Sequence, residues 1–254
     1  FIDGHAHAQQ FGTQAVGANL LAPPDGTVNT MDDVVARLKT FAAGPDVELT
    51  GWIFGLGYDD ALLGRHPTRA DLDKVSTTVP VMAMHISGHF AAVNSLGLQM
   101  IGYDAGTPNP EGGVIRREAD GKTPNGVLEE LAAMPYIVKF LAPTTQAGKD
   151  DFLKRGLEMA KSYGYTTANE GRMFGAMHAD MGNAAARGLL DIDFNGWMDY
   201  TNRAEIDRGF ATSYTNHYRL AGLKITLDGS PQGRTAWRNV AYLIPPDGQE
   251  PGYK

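Results

Sequence analysis

FIDGHAH, residues 1–7, is a short apolar run that ends in two histidines one residue apart. Phe1 to Ala6 reads as a strand. Side chains at i and i+2 of a strand point to the same side, so His5 and His7 share a face and Ala6 faces the other way. Two imidazoles crowded on an interior face are costly if charged and unsatisfied if neutral. A divalent cation that accepts both lone pairs removes both problems. The competing reading is a pair of hydrogen-bonded core histidines, because H-x-H alone is a common pattern. The apolar lead and Asp3-Gly4 tip the reading toward metal.

Outward from this stretch, strands and helices alternate. A Gln/Gly-rich loop follows His7. Residues 30–43 read as a helix capped by Thr30, with Asp32 and Asp33 near its start and Val34, Val35, Leu38, Phe41 and Ala42 on one face. Residues 51–60 are an apolar strand running into acids. A short helix opens at Thr68 with Asp71 three residues on, and residues 79–89 form another strand ending in a polar loop. Residues 104–128 are rich in Gly and Pro and read as a hairpin insertion or lid turning at Asp120-Gly121. A helix over 146–163, a strand over 165–171, a helix over 174–187, a strand over 191–200, a helix over 203–213 and a strand over 220–230 complete the pattern. Such alternation predicts an α/β fold of parallel βα units, and 254 residues is close to the length of a (β/α)8 barrel. Ionisable residues recur where strands end: His5, His7, Asp59, His89, Glu170 and Asp228. In a barrel those ends share the face that carries the chemistry.

Lys224 lies inside LAGLKITL, residues 220–227, a run that otherwise suits burial. A lysine there is costly unless paired or modified. Facing a dry interior its pKa falls, and the neutral amine can add carbon dioxide to give a carbamate, a carboxylate able to bridge two metals. The alternatives are a snorkelling Lys224 with its head in water, or pairing with Glu170 or Asp228. His89 is a candidate to bind substrate or hold a developing oxyanion, against a loop-ordering hydrogen bond. Glu170 is placed to touch metal, substrate or Lys224, against a structural salt bridge. Asp228 is placed near substrate, against simply making the turn. His85 reads as packing and Trp52 as core, while His66, His178 and His217 read as surface. The adjacent acids Asp59-Asp60 and Glu129-Glu130 raise a glycosidase reading, but acids adjacent in sequence fit a solvated face better.

The composition, 43% hydrophobic and 20% charged, is that of a globular chain. A net charge of -7 makes nucleic acid and anionic membranes poor partners. A small-molecule substrate is the expected partner, and a homodimer is the assembly considered. With no cysteine, disulfides and thiolate metal sites are excluded; any metal is held by His, Asp, Glu or a modified Lys. No run of eighteen apolar residues marks a membrane span, and the cytoplasm is the favoured compartment. G-x-S-x-G, P-loop and G-x-G-x-x-G motifs are absent.

Taken together, these stretches resemble the amidohydrolase superfamily, and within it the amidohydrolase-3 or YtcJ-like group, which includes N-substituted formamide deformylases. FIDGHAH is similar to the metal-binding strand that opens the barrel. GWIFGLGYD (51–59), HPTRADLD (66–73), PVMAMHISGHFAAVNSLGL (80–98) and GGVIRREADGKTPNGVLEE (112–130) resemble the group's middle segments, and GYTTANEG (164–171) and LKITLDGSPQGRTA (223–236) its later ones. H-x-H belongs to the whole superfamily; GHFAAVNS and DGSPQGRTA are far more specific. The resemblance implies a partial, distorted TIM barrel with one or two divalent metals, usually zinc. It implies His5 and His7 as ligands and Lys224 as the carboxylated, bridging lysine. It also implies a longer protein, with a flanking β-sandwich and later barrel strands, and a general base beyond Lys254. The implied activity is metal-dependent hydrolysis of amide-type C–N bonds. The alternatives are a deaminase or cyclic-amide hydrolase on the same scaffold, or a non-catalytic binding or regulatory protein with a degenerate site.

Overall fold

The computed structural model describes residues 1–228 and 236–243. In chain order the elements are α1 (Ala8–Val16), β1 (Ala18–Asn19), α2 (Met31–Ala42), α3 (Val47–Thr50), β2 (Ile53–Tyr58), α4 (Asp60–Leu63), α5 (Arg69–Leu72), β3 (Val81–His85), β4 (Phe90–Val93) and α6 (Ser95–Ile101). They continue with β5 (Gly113–Arg117), β6 (Pro124–Glu130), α7 (Met134–Leu141), α8 (Gln146–Ser162), β7 (Thr167–Met173), α9 (Gly175–Ala186), β8 (Asp193–Asp199), α10 (Arg203–Asp207) and β9 (Tyr218–Lys224).

The strands form two sheets. One has six strands in the order β1-β2-β3-β4-β6-β5, and the other has three in the order β7-β8-β9. In the first, β1, β2 and β3 are parallel, while β4, β6 and β5 join antiparallel. The second is parallel throughout. The fold is therefore mixed α/β, and no closed barrel forms among the described residues. The hairpin expected over 104–128 is present as β5 and β6, with Asp120 ordering its turn by accepting the Lys122 and Thr123 backbone N–H groups at 2.8 Å each. It does not stand off as a separate flap, because β6 pairs with β4 and extends the six-stranded sheet.

Local chemistry sets the helix starts. Thr30 accepts the Asp33 N–H at 3.2 Å, and Asp33 returns a bond from the Thr30 N–H at 2.9 Å, a reciprocal cap. Val34, Val35 and Leu38 are then buried; Val34 and Leu38 pack with Leu20, Ile53 and Tyr58. Thr68 and Asp71 make the same reciprocal cap for α5. Burial pushes the Asp71 carboxyl upward, but hydrogen bonds from Arg65 and Thr68 outweigh it and hold the group well below the usual carboxylate range.

Two helices join the sheets. Val16 of α1 and Phe152 of α8 pack into the core of the six-stranded sheet with Trp52 and Phe54. Ala8 of α1 and Leu157 and Ala160 of α8 pack under the three-stranded sheet with Phe194 and Met198. The helices cross backbone to backbone. A Cβ at Gly12 would lie 2.5 Å from the Phe152 carbonyl oxygen, and one at Gly156 would lie 2.7 Å from the Gly12 nitrogen. The Gln/Gly-rich stretch expected as a loop after His7 is instead α1, and Gly12 is what allows this helix to sit so close. The reading also lacked β4 and α7, and α10 is shorter than the expected 203–213.

The expected first strand is only partly realised. Phe1 to His7 lies along β7, bridged at Ile2–Thr167 in the parallel sense and at His7–Glu170 in the antiparallel sense. The backbone bonds Thr166 N–H to Phe1 O (2.8 Å), Asp3 N–H to Thr167 O (3.0 Å) and Gly171 N–H to Ala6 O (2.7 Å) hold it there. Between the bridges the chain bends, because the Asp3 side chain accepts the His5 N–H at 3.1 Å. The other Asp3 oxygen accepts the Asn169 N–H at 3.2 Å, so one carboxylate both shapes the bend and ties it to β7. Among the described residues no helix is long and apolar enough to cross a membrane.

Candidate functional site

His5 and His7 end up with ring centroids 5.6 Å apart and planes near perpendicular, but across a bend rather than on the interior face of a strand, with His5 exposed and His7 half-buried. His7 Nδ1 lies 2.9 Å from Glu170 Oε1, and Glu170 is buried to 1% exposure on β7. The same oxygen accepts the Arg172 N–H at 3.0 Å, which fixes the carboxylate. A carboxylate on one imidazole nitrogen sets the ring and leaves the opposite nitrogen, Nε2, as a metal donor. His5 is positioned differently. Its ring rests on the backbone of Gly171, where a Cβ would meet His5 Cε1 at 2.4 Å and Nδ1 at 3.0 Å. The glycine in NEG, residues 169–171, was the available signal for this seat, and it went unread. Two imidazoles, one braced by a buried carboxylate, are a donor set that suits a divalent cation.

Lys224 is half-buried at the end of β9, in register with Asp199 at the end of β8. Asp199 was not singled out by the sequence, although its carboxylate is fully buried and accepts Arg172 Nε at 2.8 Å and the Thr201 N–H at 3.0 Å. Burial pushes its pKa up, but the Thr201 hydroxyl and backbone and the Arg172 guanidinium outweigh this and hold it below the usual range. Asp199 and Lys224 thus close β8 and β9 side by side, whereas Glu170 lies midway along β7, in register with Gly196. Asp228 lies exposed beyond β9, where its carboxylate accepts the Trp237 N–H at 3.0 Å.

The second group of ionisable residues gathers at the carboxyl ends of β2 and β3. Asp60 Oδ1 lies 2.9 Å from His85 Nε2, and Asp60 Oδ2 lies 3.5 Å from His66 Nε2. His85 Nδ1 lies 2.8 Å from Ser87 Oγ, and His66 Nδ1 lies 3.0 Å from the Tyr58 hydroxyl. His66, read as surface, is buried at 8% exposure and stacks on Phe90 at 5.2 Å. His85, read as packing, is half-buried and bonded at both nitrogens. Burial lowers its pKa despite the nearby Asp60, so the ring stays neutral to a lower pH than an ordinary imidazole. Asp59 caps α4 by accepting the Ala61 N–H at 2.9 Å. The solvated-face reading of Asp59-Asp60 therefore misses two partners brought in by the fold: His85 by the β2–β3 register and His66 by the turn before α5.

His89 starts the approach to β4 and pairs with Glu130 at the end of β6, Nδ1 to Oε2 2.9 Å. The Glu130 bond raises the His89 pKa, against a smaller opposing effect of burial. Glu130 has φ of 48°, a left-handed backbone uncommon for a non-glycine residue, and its Oε1 is buried without a hydrogen-bond partner among the described residues. His178 bonds the Tyr218 hydroxyl at 2.6 Å, and the exposed His217 bonds Asp193 at 2.9 Å.

The sequence profile of the Amidohydrolase family matches residues 1–253. Among curated relatives, YtcJ of Bacillus subtilis (strain 168), an amidohydrolase by name, is 29% identical over 97% of this chain and 46% of its own length. The N-substituted formamide deformylase of Arthrobacter pascens is 32% identical over 52% of this chain and 24% of its own. The crystal structure of an uncharacterized metal-dependent hydrolase from Pyrococcus furiosus superimposes with a TM-score of 0.65 at 22% identity. That match covers 95% of this chain and 47% of that one. The chain spans less than half the length of each of these proteins. With a profile match from Phe1 to Tyr253, the chain belongs to the Amidohydrolase family.

Proposed function

We propose that this chain is the front part of a metal-dependent hydrolase that cleaves an amide-type, non-peptide C–N bond in a small molecule. On this reading the two parallel runs of strands are arcs of a distorted TIM barrel. The observation that carries the reading is the pairing of His7 with buried Glu170 beside His5. His5 and His7 would hold a divalent cation, zinc by preference, and Lys224 as a carbamate would complete or bridge the site. When bound, such a cation lowers the pKa of water and polarises a carbonyl.

The chain's own residues supply the rest. Glu170 accepts the His7 Nδ1–H, so it fixes the tautomer and turns Nε2 outward. Gly171 gives His5 the room to lie against β7. Arg172 and Thr201 hold the Asp199 carboxylate ionised beside Lys224. His89, kept protonated to higher pH by Glu130, is suited to donate a hydrogen bond to an oxygen that gains negative charge.

Elemental analysis of the full-length protein, purified without chelators, tests the reading. His5→Ala/His7→Ala should lower the metal content and reduce turnover of formamide-type substrates by about a hundredfold or more. Unchanged metal content would overturn the ligand assignment. Lys224→Ala should lose activity that short carboxylic acids partly restore, and full activity in that variant would eliminate the carbamate.

A further inference from the structure

Tyr58 and His85 are partners in the β2–β3 register, so the segments leaving these two strands start side by side. One side-chain atom each from Asp59, Asp60 and His85 lies within 4.8 Å of the others, and among the described residues this is the group of His and carboxylate ligands that meets so closely. Ligands on one zinc-type ion, bound at about 2.0–2.2 Å, stand no more than about 4.4 Å apart. Small side-chain rotations close the remaining gap. His66 Nε2, 3.5 Å from Asp60 Oδ2, approaches the same carboxylate.

One buried and one half-buried imidazole, His66 and His85, distinguish this place from a patch of surface acids. Each has its Nδ1 on a hydroxyl, Ser87 for His85 and Tyr58 for His66, and each turns Nε2 toward Asp60. Outer hydrogen bonds that fix the ring and present the far nitrogen are what metal-ligating histidines use. The side chains of His66 and His85 are 9% and 11% exposed, whereas Asp60 is 40% exposed, which leaves one open approach for a hydrated ion.

We propose that Asp59, Asp60, His66 and His85 form a second cation site, on the six-stranded sheet and independent of the His5–His7 centre, that takes a zinc-type transition-metal ion. Without the ion, His85 Nε2–H donates to Asp60 while Nδ1 accepts the Ser87 N–H at 3.1 Å. With it, the single ring proton moves to Nδ1, where Ser87 Oγ accepts it, and Nε2 gives its lone pair to the ion. The bound ion would tie the loop after β2 to the loop after β3, which carries His89.

Titration of the full-length His5→Ala/His7→Ala protein with Co2+, read by visible absorption, tests the site after the first centre has been removed. One equivalent should bind with a nitrogen-and-oxygen, low-coordinate spectrum. Adding Asp59→Asn should weaken it about tenfold or more, and Asn still caps α4, so the fold is retained. Adding His85→Gln should abolish the absorption. No Co2+ bound in the double variant, or affinity unchanged by Asp59→Asn, would overturn the proposal even if the other variant unfolds. Failure of the His5–His7 reading shows separately, as equal metal content in the wild type and the double variant.

Discussion

The two sheets hold their histidines in opposite ways. At the three-stranded sheet, His5 and His7 come from a segment that is tied to β7 by three backbone bonds and one aspartate rather than built into a continuous ladder. One buried carboxylate braces one ring there. At the six-stranded sheet, His66 and His85 belong to a closed network of Tyr58, Asp60, Ser87 and Phe90, with both nitrogens of His85 satisfied. An imidazole with a nitrogen to spare is ready for a ligand. One with both nitrogens engaged must exchange a hydrogen bond for it. The first arrangement sacrifices rigidity for availability and the second does the reverse, so the first should bind metal more tightly although it is less well packed.

The crossing of α1 and α8 couples the two sheets, so a substitution there tests whether they unfold as one cooperative body. Gly12→Val would force side-chain atoms into the Phe152 carbonyl, 2.5 Å from the position of the new Cβ. Overpacking of this kind costs about 3 kcal/mol. Trp52 is buried in one core, and Trp197 lies on β8 of the other sheet. Urea unfolding followed by fluorescence in Trp52→Phe and Trp197→Phe backgrounds should show both signals shifting to lower denaturant together. A shift confined to one tryptophan would mean that the sheets unfold independently.

Glu170→Gln probes the more loosely held site at the pair that braces it. The amide can still accept a hydrogen bond, but the charge that braces His7 is gone. Metal affinity of the His5–His7 centre should fall about tenfold, and a chelator competition assay measures it. Unchanged affinity would reduce Glu170 to a structural partner. Asp199→Asn, at the end of the neighbouring strand, should lower stability by about 1–2 kcal/mol, since Arg172 is 43% exposed and water compensates part of the lost pair. The urea midpoint checks this, and a larger loss would show that Asp199 also supports Lys224.

The closeness of the histidine pair was legible from its one-residue spacing and the chemistry of imidazole, although a bend shaped by Asp3 stands where a continuous strand was expected. The Thr30–Asp33 and Thr68–Asp71 caps were legible for the same local reason, and so was the turn at Asp120. What sequence could not show was pairing at a distance. β4 is four residues long and lies just past the polar loop expected to end the preceding strand; only its antiparallel register with β3 marks it as a strand. His66 resembles a surface histidine beside a proline, and only the fold sets it on Phe90 and Tyr58. Asp199 followed an apolar strand just as Asp228 did; burial and Arg172, both tertiary, separate them. Gly12 and Gly171 carry meaning through what lies opposite, which no local pattern contains.

The smallest expected effect lies where β4 begins and β6 ends, at the His89–Glu130 pair. His89 has its pKa raised above the ordinary value by Glu130. Folding therefore favours the protonated ring, and this contribution is complete below the unfolded imidazole value of about 6.5. It is lost as pH rises through the higher folded value, because the native state then releases a proton that the unfolded state has already given up. Stability should decline slightly across that window, by well under about 1 kcal/mol, since the pair is partly exposed and screened. In Glu130→Gln this decline should vanish, while the strain of the left-handed backbone at residue 130 remains. Urea midpoints at a series of pH values in both proteins separate these terms. An undiminished decline in the variant would assign it to another group and leave the His89–Glu130 bond as geometry alone.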